Sequence, residues 1–153
     1  MPTQIEQLET YQLAAIGHRT SRSVSELFSE DFGLQVPDWR ILVILSGVDF
    51  LSFKEVVERT GMDKSRVSRA HVRLQKAGLV LVSKGPFDNR TLVMKLSTKG
   101  ENVCKLLIPK IEERNQWLLN ALSTEEQASF ATILEKLSLR VKVLDKPYQT
   151  FVK

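Results

Sequence analysis

Apolar positions change their spacing several times along this chain, and each change marks an element. Leu8, Tyr11, Ala15, Val24, Leu27 and Phe28 fall near helical spacing with polar residues between them. They predict a long amphipathic helix from Ile5 to roughly Glu30, with Gly17 as its weak spot. Asp31-Phe32-Gly33 ends it with turn chemistry. Pro37 suits the first turn of a second helix, because its missing N–H is unpaired there anyway. Trp39, Ile41, Leu42, Ile44 and Leu45 make that helix too apolar to be exposed, and Ser46-Gly47-Val48-Asp49 breaks it. Ser52 and Glu55 have capping-box spacing and open a short third helix with Val56 and Val57 inward. Thr60-Gly61-Met62 makes a tight turn of the kind that joins two short helices. Asp63 then caps a fourth helix that runs to Ala77 and ends at Gly78.

After Gly78 the pattern turns to strand. Leu79-Val80-Leu81-Val82 and Leu92-Val93-Met94-Lys95-Leu96 are short apolar runs with β-branching, and Ser83 to Thr91 is the hairpin loop between them. Thr98 and Glu101 have capping-box spacing and open a long fifth helix. Val103, Leu107, Ile111, Leu118 and Leu122 keep one face of it, with Trp117 beside them. Pro109 inside this helix predicts a bend. Ser123 and Glu126 cap the last helix, which Pro147 ends. Its apolar positions Phe130, Leu134, Leu137, Val141 and Leu144 alternate by four and three, the spacing of a coiled-coil seam. Packing onto the chain's own core is the competing account of that seam. The predicted class is mainly α with a small β-hairpin wing: six helices, with two strands between the fourth and fifth. A winged helix-turn-helix spans 36–97. Residues 1–35 and 98–153 form a helical dimerisation region, and the whole makes one compact unit.

The charge distribution sharpens this picture. Net charge is +4. From Lys54 to Lys95 ten Lys or Arg face four acids, an excess of six, so the rest of the chain sums to −2. A basic middle between slightly acidic ends suggests a local face for a polyanion.

The fourth helix carries most of that charge. Val67, Ala70 and Leu74 share one face, with His71 at its edge, while Ser65, Arg69, Val72 and Lys76 take the opposite face. Arg66 and Arg73 flank one side of the outer face and Ser68 the other. After Asp63 the helix has no acid. A solvated basic helix usually intermixes Glu, so this face fits a helix in the DNA major groove. There Arg reads guanine or phosphate, Ser reads bases or phosphate, and a small apolar group meets a thymine methyl. The candidate contacts are Lys64, Ser65, Arg66, Ser68, Arg69, Arg73 and Lys76. Ser52 and Lys54, at the start of the third helix, are candidates for the DNA backbone. Lys84 and Arg90 lie near the ends of the hairpin loop, where a wing reaches the minor groove.

Other chemistries find little support. His18 and His71 are the only histidines, and no nucleophile motif, Gly-rich phosphate loop or His/Cys metal spacing accompanies them. No enzyme, metal or cofactor is expected. The single cysteine, Cys104, excludes an intrachain disulfide and sits among apolar residues as a small core side chain. Met1-Pro2-Thr3-Gln4-Ile5-Glu6 is not a signal peptide, and the longest apolar run, Ile41 to Leu45, is far short of the ~20 residues that span a membrane. The expected protein is soluble and cytoplasmic, with no membrane partner.

Several motifs in this order resemble the multiple-antibiotic-resistance regulator (MarR) family of bacterial transcription factors, over nearly the whole chain. They are Trp39-Arg40 with Leu42 and Leu45, Asp63-Lys64-Ser65-Arg66-Val67-Ser68, and Leu74-Gln75-Lys76-Ala77-Gly78-Leu79-Val80. Asp88-Asn89-Arg90 in the wing and Leu96-Ser97-Thr98-Lys99-Gly100 complete the set. Leu81 and Val82 stand where the family often has Arg.

The resemblance implies a homodimer with both termini of each chain in the dimerisation region, and a fourth helix in the major groove of a pseudo-palindromic operator. It also implies that Arg90 enters the minor groove, positioned by Asp88. Such proteins are commonly released from DNA by a small ligand, often an aromatic or phenolic acid. His18, Arg19, Arg22, Trp39 and Arg40 are the candidates to hold one, being cationic and aromatic. The family's oxidation sensors carry their cysteine in the first helix, unlike Cys104. The implied function is a ligand-released repressor; the competing use of the same winged helix is protein–protein contact without DNA readout.

Overall fold

The computed structural model describes residues 3–86 and 90–142. Its elements run α1 (Glu9–Phe32), α2 (Val36–Ser46), β1 (Leu51–Ser52), α3 (Phe53–Thr60), α4 (Lys64–Lys76), β2 (Val80–Lys84), β3 (Leu92–Leu96), α5 (Thr98–Leu119) and α6 (Thr124–Val141). This is the mainly helical, winged architecture that the hydrophobic pattern predicts. Boundaries shift by a few residues: α1 starts four residues later than Ile5 and ends two later than Glu30, α4 ends at Lys76, and the first wing strand runs Val80–Lys84 where the pattern predicts Leu79–Val82. A short third strand was not foreseen. β1 pairs antiparallel with β3, Leu51 opposite Met94, and β3 also pairs with β2, Val80 opposite Leu96, giving the order β1-β3-β2.

Local chemistry sets most helix starts. Ser52 Oγ accepts from the Glu55 N–H, and the Glu55 carboxylate accepts from the Ser52 N–H at 2.8 Å. The reciprocal pair at Ser123 and Glu126 does the same for α6. Asp63 accepts from the Arg66 N–H at 2.8 Å and caps α4. Gly61 sits at φ 64°, a left-handed conformation that costs glycine little, and so turns the chain from α3 into α4.

The chain divides into two units, residues 1–112 and 113–153. In the first, one core joins Val24 and Phe28 of α1, Ile41, Leu42 and Leu45 of α2, Val56 of α3, and Val67, Ala70 and Leu74 of α4 to the sheet and to Val103, Cys104 and Leu107 of α5. The second half of α1 is thus packed with the winged helix. Its first half is not: Leu8, Tyr11, Leu13 and Ile16 are exposed, as is Ile5 before it. In the second unit no residue of α6 is buried. Phe130 and Leu134 are half-buried, Leu137 and Val141 are exposed, and Leu144 lies outside the described residues.

The junction between α4 and α5 corrects one expectation. Thr98 is the first helical residue of α5, so Thr98 and Glu101 do not form its capping box. Ser97 caps it instead: its hydroxyl accepts from the Gly100 N–H at 3.0 Å and donates to the Gly78 carbonyl at 2.6 Å. The Lys99 ammonium reaches the Ala77 carbonyl at 2.9 Å, and the Ser97 N–H donates to the Leu79 carbonyl at 3.0 Å. Gly100 lies directly over Leu79, so close that an added Cβ would stand 2.1 Å from the Leu79 carbonyl oxygen.

Gly100→Ala is therefore expected to destabilise the chain by about 1–3 kcal/mol, although alanine is the better helix former by about 1 kcal/mol. Urea unfolding of the two proteins measures it; a stabilised variant would contradict the close approach.

Candidate nucleic-acid interface and anion cleft

Helix α4 is sided by its own sequence. Val67, Ala70 and Leu74 are buried, while Lys64, Ser65, Arg66, Ser68, Arg69, Val72 and Lys76 are exposed. Several exposed groups are already engaged. Ser65 Oγ donates to Asp63 at 2.6 Å, and Arg66 Nε lies 3.4 Å from the same carboxylate. The Ser65 hydroxyl, then the Arg66 N–H, then the nearby Arg66 and Arg69 charges hold the Asp63 carboxyl below its usual range. Such a lowered carboxylate adds stability above its unfolded value and loses it as pH falls through the folded one, so this cap loosens only in acid.

Arg73 serves a different purpose from its neighbours. Its Nη2 donates to Asp38 Oδ1 at 2.7 Å and its Nε lies 3.2 Å from the same oxygen. The Asp38 carboxylate is 2% exposed and also accepts from the Gln35 N–H at 3.0 Å. One buried group therefore caps α2 and ties it to the last turn of α4. Nothing in the sequence pairs these two residues, which are 35 positions apart.

In α3, Ser52 donates to Glu55 at 2.7 Å within the cap, and Lys54 is exposed and 3.7 Å from Glu58. In the wing, the Gly85 N–H donates to the Thr91 carbonyl at 2.7 Å and closes the hairpin. Lys84 and Arg90 are exposed, and Asp88 lies outside the described residues.

A cleft of about 800 Å³ opens between α1, α2 and the outer edge of α4. His18, Ser21, Arg22 and Glu26 line it from α1; Leu34, Val36, Pro37 and Arg40 line it from the connection and from α2. Met62, Arg66, Arg69 and Arg73 form the far wall. Arg40 Nη2 donates to Ser21 Oγ at 2.6 Å, and Arg22 pairs with Glu26 at 2.9 Å.

Three of the five residues expected to hold a ligand thus meet in one place: His18, Arg22 and Arg40. Arg19 and Trp39 do not line the cleft. Trp39 is half-buried against the core, with the Arg40 guanidinium 5.7 Å from its ring centre. The α4 arginines in the cleft wall were missed as cleft residues, because only the fold brings that helix against α1.

Cys104 is buried, with Sγ 3.5 Å from the Leu42 carbonyl. Burial, aided by the Glu101 charge, pushes its thiol up to about 11.

A helix-turn-helix with a cationic outer face, followed by a β-hairpin, defines the winged-helix class of DNA-binding proteins. Residues 32–90 match the MarR_2 model, described as MarR family. Over this segment the chain is similar to the MarR family of transcriptional regulators. It is 26% identical over 100 residues to the HTH-type transcriptional regulator FarR of Neisseria gonorrhoeae, covering 65% of this chain and 68% of that one. The fold matches a MarR/EmrR family regulator from Acinetobacter sp. ADP1 with a TM-score of 0.83 at 24% identity, over 92% of this chain and 99% of the other. It also matches BpsR of Bordetella bronchiseptica, whose DNA binding is regulated by 6-hydroxynicotinic acid, at a TM-score of 0.76 and 22% identity over 90% and 98%. Among the described residues no helix is long and apolar enough to cross a membrane.

Two outcomes are expected of this geometry. Asp38→Ala should cost about 2–3 kcal/mol in urea unfolding, because Arg73 can rehydrate, and less than Arg73→Ala, which strands the buried Asp38 carboxylate. Cys104 in the folded protein should resist a disulfide reagent at neutral pH and react fully once unfolded. Fast, complete labelling of the native chain would contradict its burial.

Proposed function

We propose that this regulator is a homodimeric repressor that binds a pseudo-palindromic DNA operator and is released by a small organic acid. The observation that carries the DNA reading is the outer face of α4, exposed, cationic and acid-free after its cap. Arg69 and Ser68 face outward to read bases. Lys64 and Lys76 suit phosphates at the two ends of the helix, and Lys84 with Arg90 reaches the backbone and minor groove from the wing.

Dimer formation is supported by the exposed apolar side chains Leu8, Tyr11 and Ile16 of α1 and Leu137 and Val141 of α6. Such residues call for a partner surface. A second copy supplies one, and its symmetry sets two half-sites about one helical turn apart.

Release is supported by the cleft. Leu34, Val36, Pro37 and Met62 offer an apolar wall for an aromatic or phenolic ring, and the arginines offer partners for its carboxylate. The regulated DNA binding of BpsR by 6-hydroxynicotinic acid is a precedent of this chemistry.

Fluorescence anisotropy on DNA from the chain's own upstream region tests the reading. Log affinity against log salt should fall with a slope of about −4 or steeper, since each neutralised phosphate contributes about −0.9. Arg69→Ala should erase about 1–3 kcal/mol of discrimination at one base pair, whereas Arg90→Ala should weaken all sequences alike. No binding at low salt would leave the winged helix as a protein–protein module.

A further inference from the structure

We infer that the cleft is built for a small organic dianion, and that this ligand competes with DNA for Arg69. The inference rests on the cleft being the effector site. It goes further by fixing the ligand's charge and the means of release.

The charges in the cleft wall do not balance. Five arginines line it: Arg22, Arg40, Arg66, Arg69 and Arg73. Glu26 neutralises Arg22, Asp63 lies beside Arg66, and the buried Asp38 holds Arg73. Arg40 and Arg69 have no carboxylate within 4.0 Å among the described residues. Arg40 is anchored by a neutral hydroxyl, that of Ser21, which orients it without cancelling its charge.

A monocarboxylate occupies one guanidinium fork and leaves the other uncompensated. A ligand with two negative charges meets both. The volume of about 800 Å³ admits such a molecule, and Leu34, Val36, Pro37 and Met62 accept its apolar body. Arg40 stands on α2 and Arg69 on α4, so the dianion bridges the fixed wall to the reading helix. Arg69 is also the central outward cation of that helix. Held by the ligand, it is withdrawn from the DNA. Release then needs no displacement of α4, only the reassignment of one side chain.

Titration calorimetry of the full chain at matched ionic strength tests this with three probes: phthalate, phenyl phosphate and benzoate. At least one dianion should bind tenfold or more tighter than benzoate, about the effect of one added charge-assisted hydrogen bond. Preference for phthalate assigns a dicarboxylate; preference for phenyl phosphate assigns a phosphate ester. Arg40→Met and Arg69→Met should each remove the preference, whereas Lys105→Met, an exposed charge on α5, should keep it. The preferred dianion should displace operator DNA from the unmodified protein.

Equal binding of all three probes, no binding of any, or a preference that survives both arginine variants overturns the inference. If the operator still binds with a steep salt dependence in that case, the DNA reading stands and only the dianion fails. A flat salt dependence would sink the DNA reading itself.

Discussion

The buried carboxylate of Asp38 is the constraint on which the reading head depends. An ionised carboxylate taken out of water is costly unless its lone pairs are used. Here the Gln35 N–H and the guanidinium of Arg73 use them together. The first bond starts α2 and the second fixes the last turn of α4 against it. The neighbouring bond from Arg40 to Ser21 ties α2 back to α1. Orientation of α4 is therefore set by directional, charge-assisted bonds as well as by its apolar face, which by itself permits sliding. Just beyond that turn, the chain leaving α4 is fastened to α5 by Ser97, Lys99 and the contact of Gly100 with Leu79. A helix whose C-terminal end is held from two sides, by α2 and by α5, can present a fixed outward face.

The parts legible in the sequence are those decided within a few residues. Capping boxes at Ser52 and Ser123, the cap at Asp63 and the turn at Gly61 are local, and each appears where its spacing placed it. The buried stripe Val67, Ala70, Leu74 follows from helical periodicity alone. Where distant partners decide, the sequence was silent or misleading. Ser97, rather than Thr98, caps α5 because its hydroxyl also has the Gly78 carbonyl to satisfy, nineteen residues away. β1 is two residues long and exists only through its pairing with β3, so no strand-length pattern announces it. Arg73 reads as one more cation of a basic helix until the fold sets it against Asp38. Trp39 and Arg40 are adjacent, yet only Arg40 reaches the cleft, because neighbouring residues on a helix point about 100° apart.

The motifs that carry the family resemblance acquire physical reasons from these contacts. The segment from Leu74 to Val80 and the segment from Leu96 to Gly100 are two halves of one joint. Lys99 satisfies a carbonyl at the end of α4, where a cation also suits the helix dipole. Gly100 is needed for want of a side chain, not for backbone freedom. Neither role is visible from either segment by itself.

The same economy of charge links reading to regulation. The arginines of α4 are not equivalent donors for DNA. Arg73 is committed inward, Arg66 leans on Asp63, and Arg69 feels the Asp63 charge but has no carboxylate within 4.0 Å among the described residues. Exposed salt bridges such as Arg66–Asp63 are weak and can be exchanged for a phosphate at little cost. The Arg73–Asp38 pair cannot, because breaking it strands a buried carboxylate. On the proposed DNA reading, sequence preference would concentrate on Arg69, the arginine of α4 without an ion pair among the described residues. That arginine also lines a cleft with unmatched positive charge. On the proposed reading, a regulator arranged in this way would change its DNA affinity through the occupancy of a single guanidinium, while the bonds that hold the helix in place stay intact.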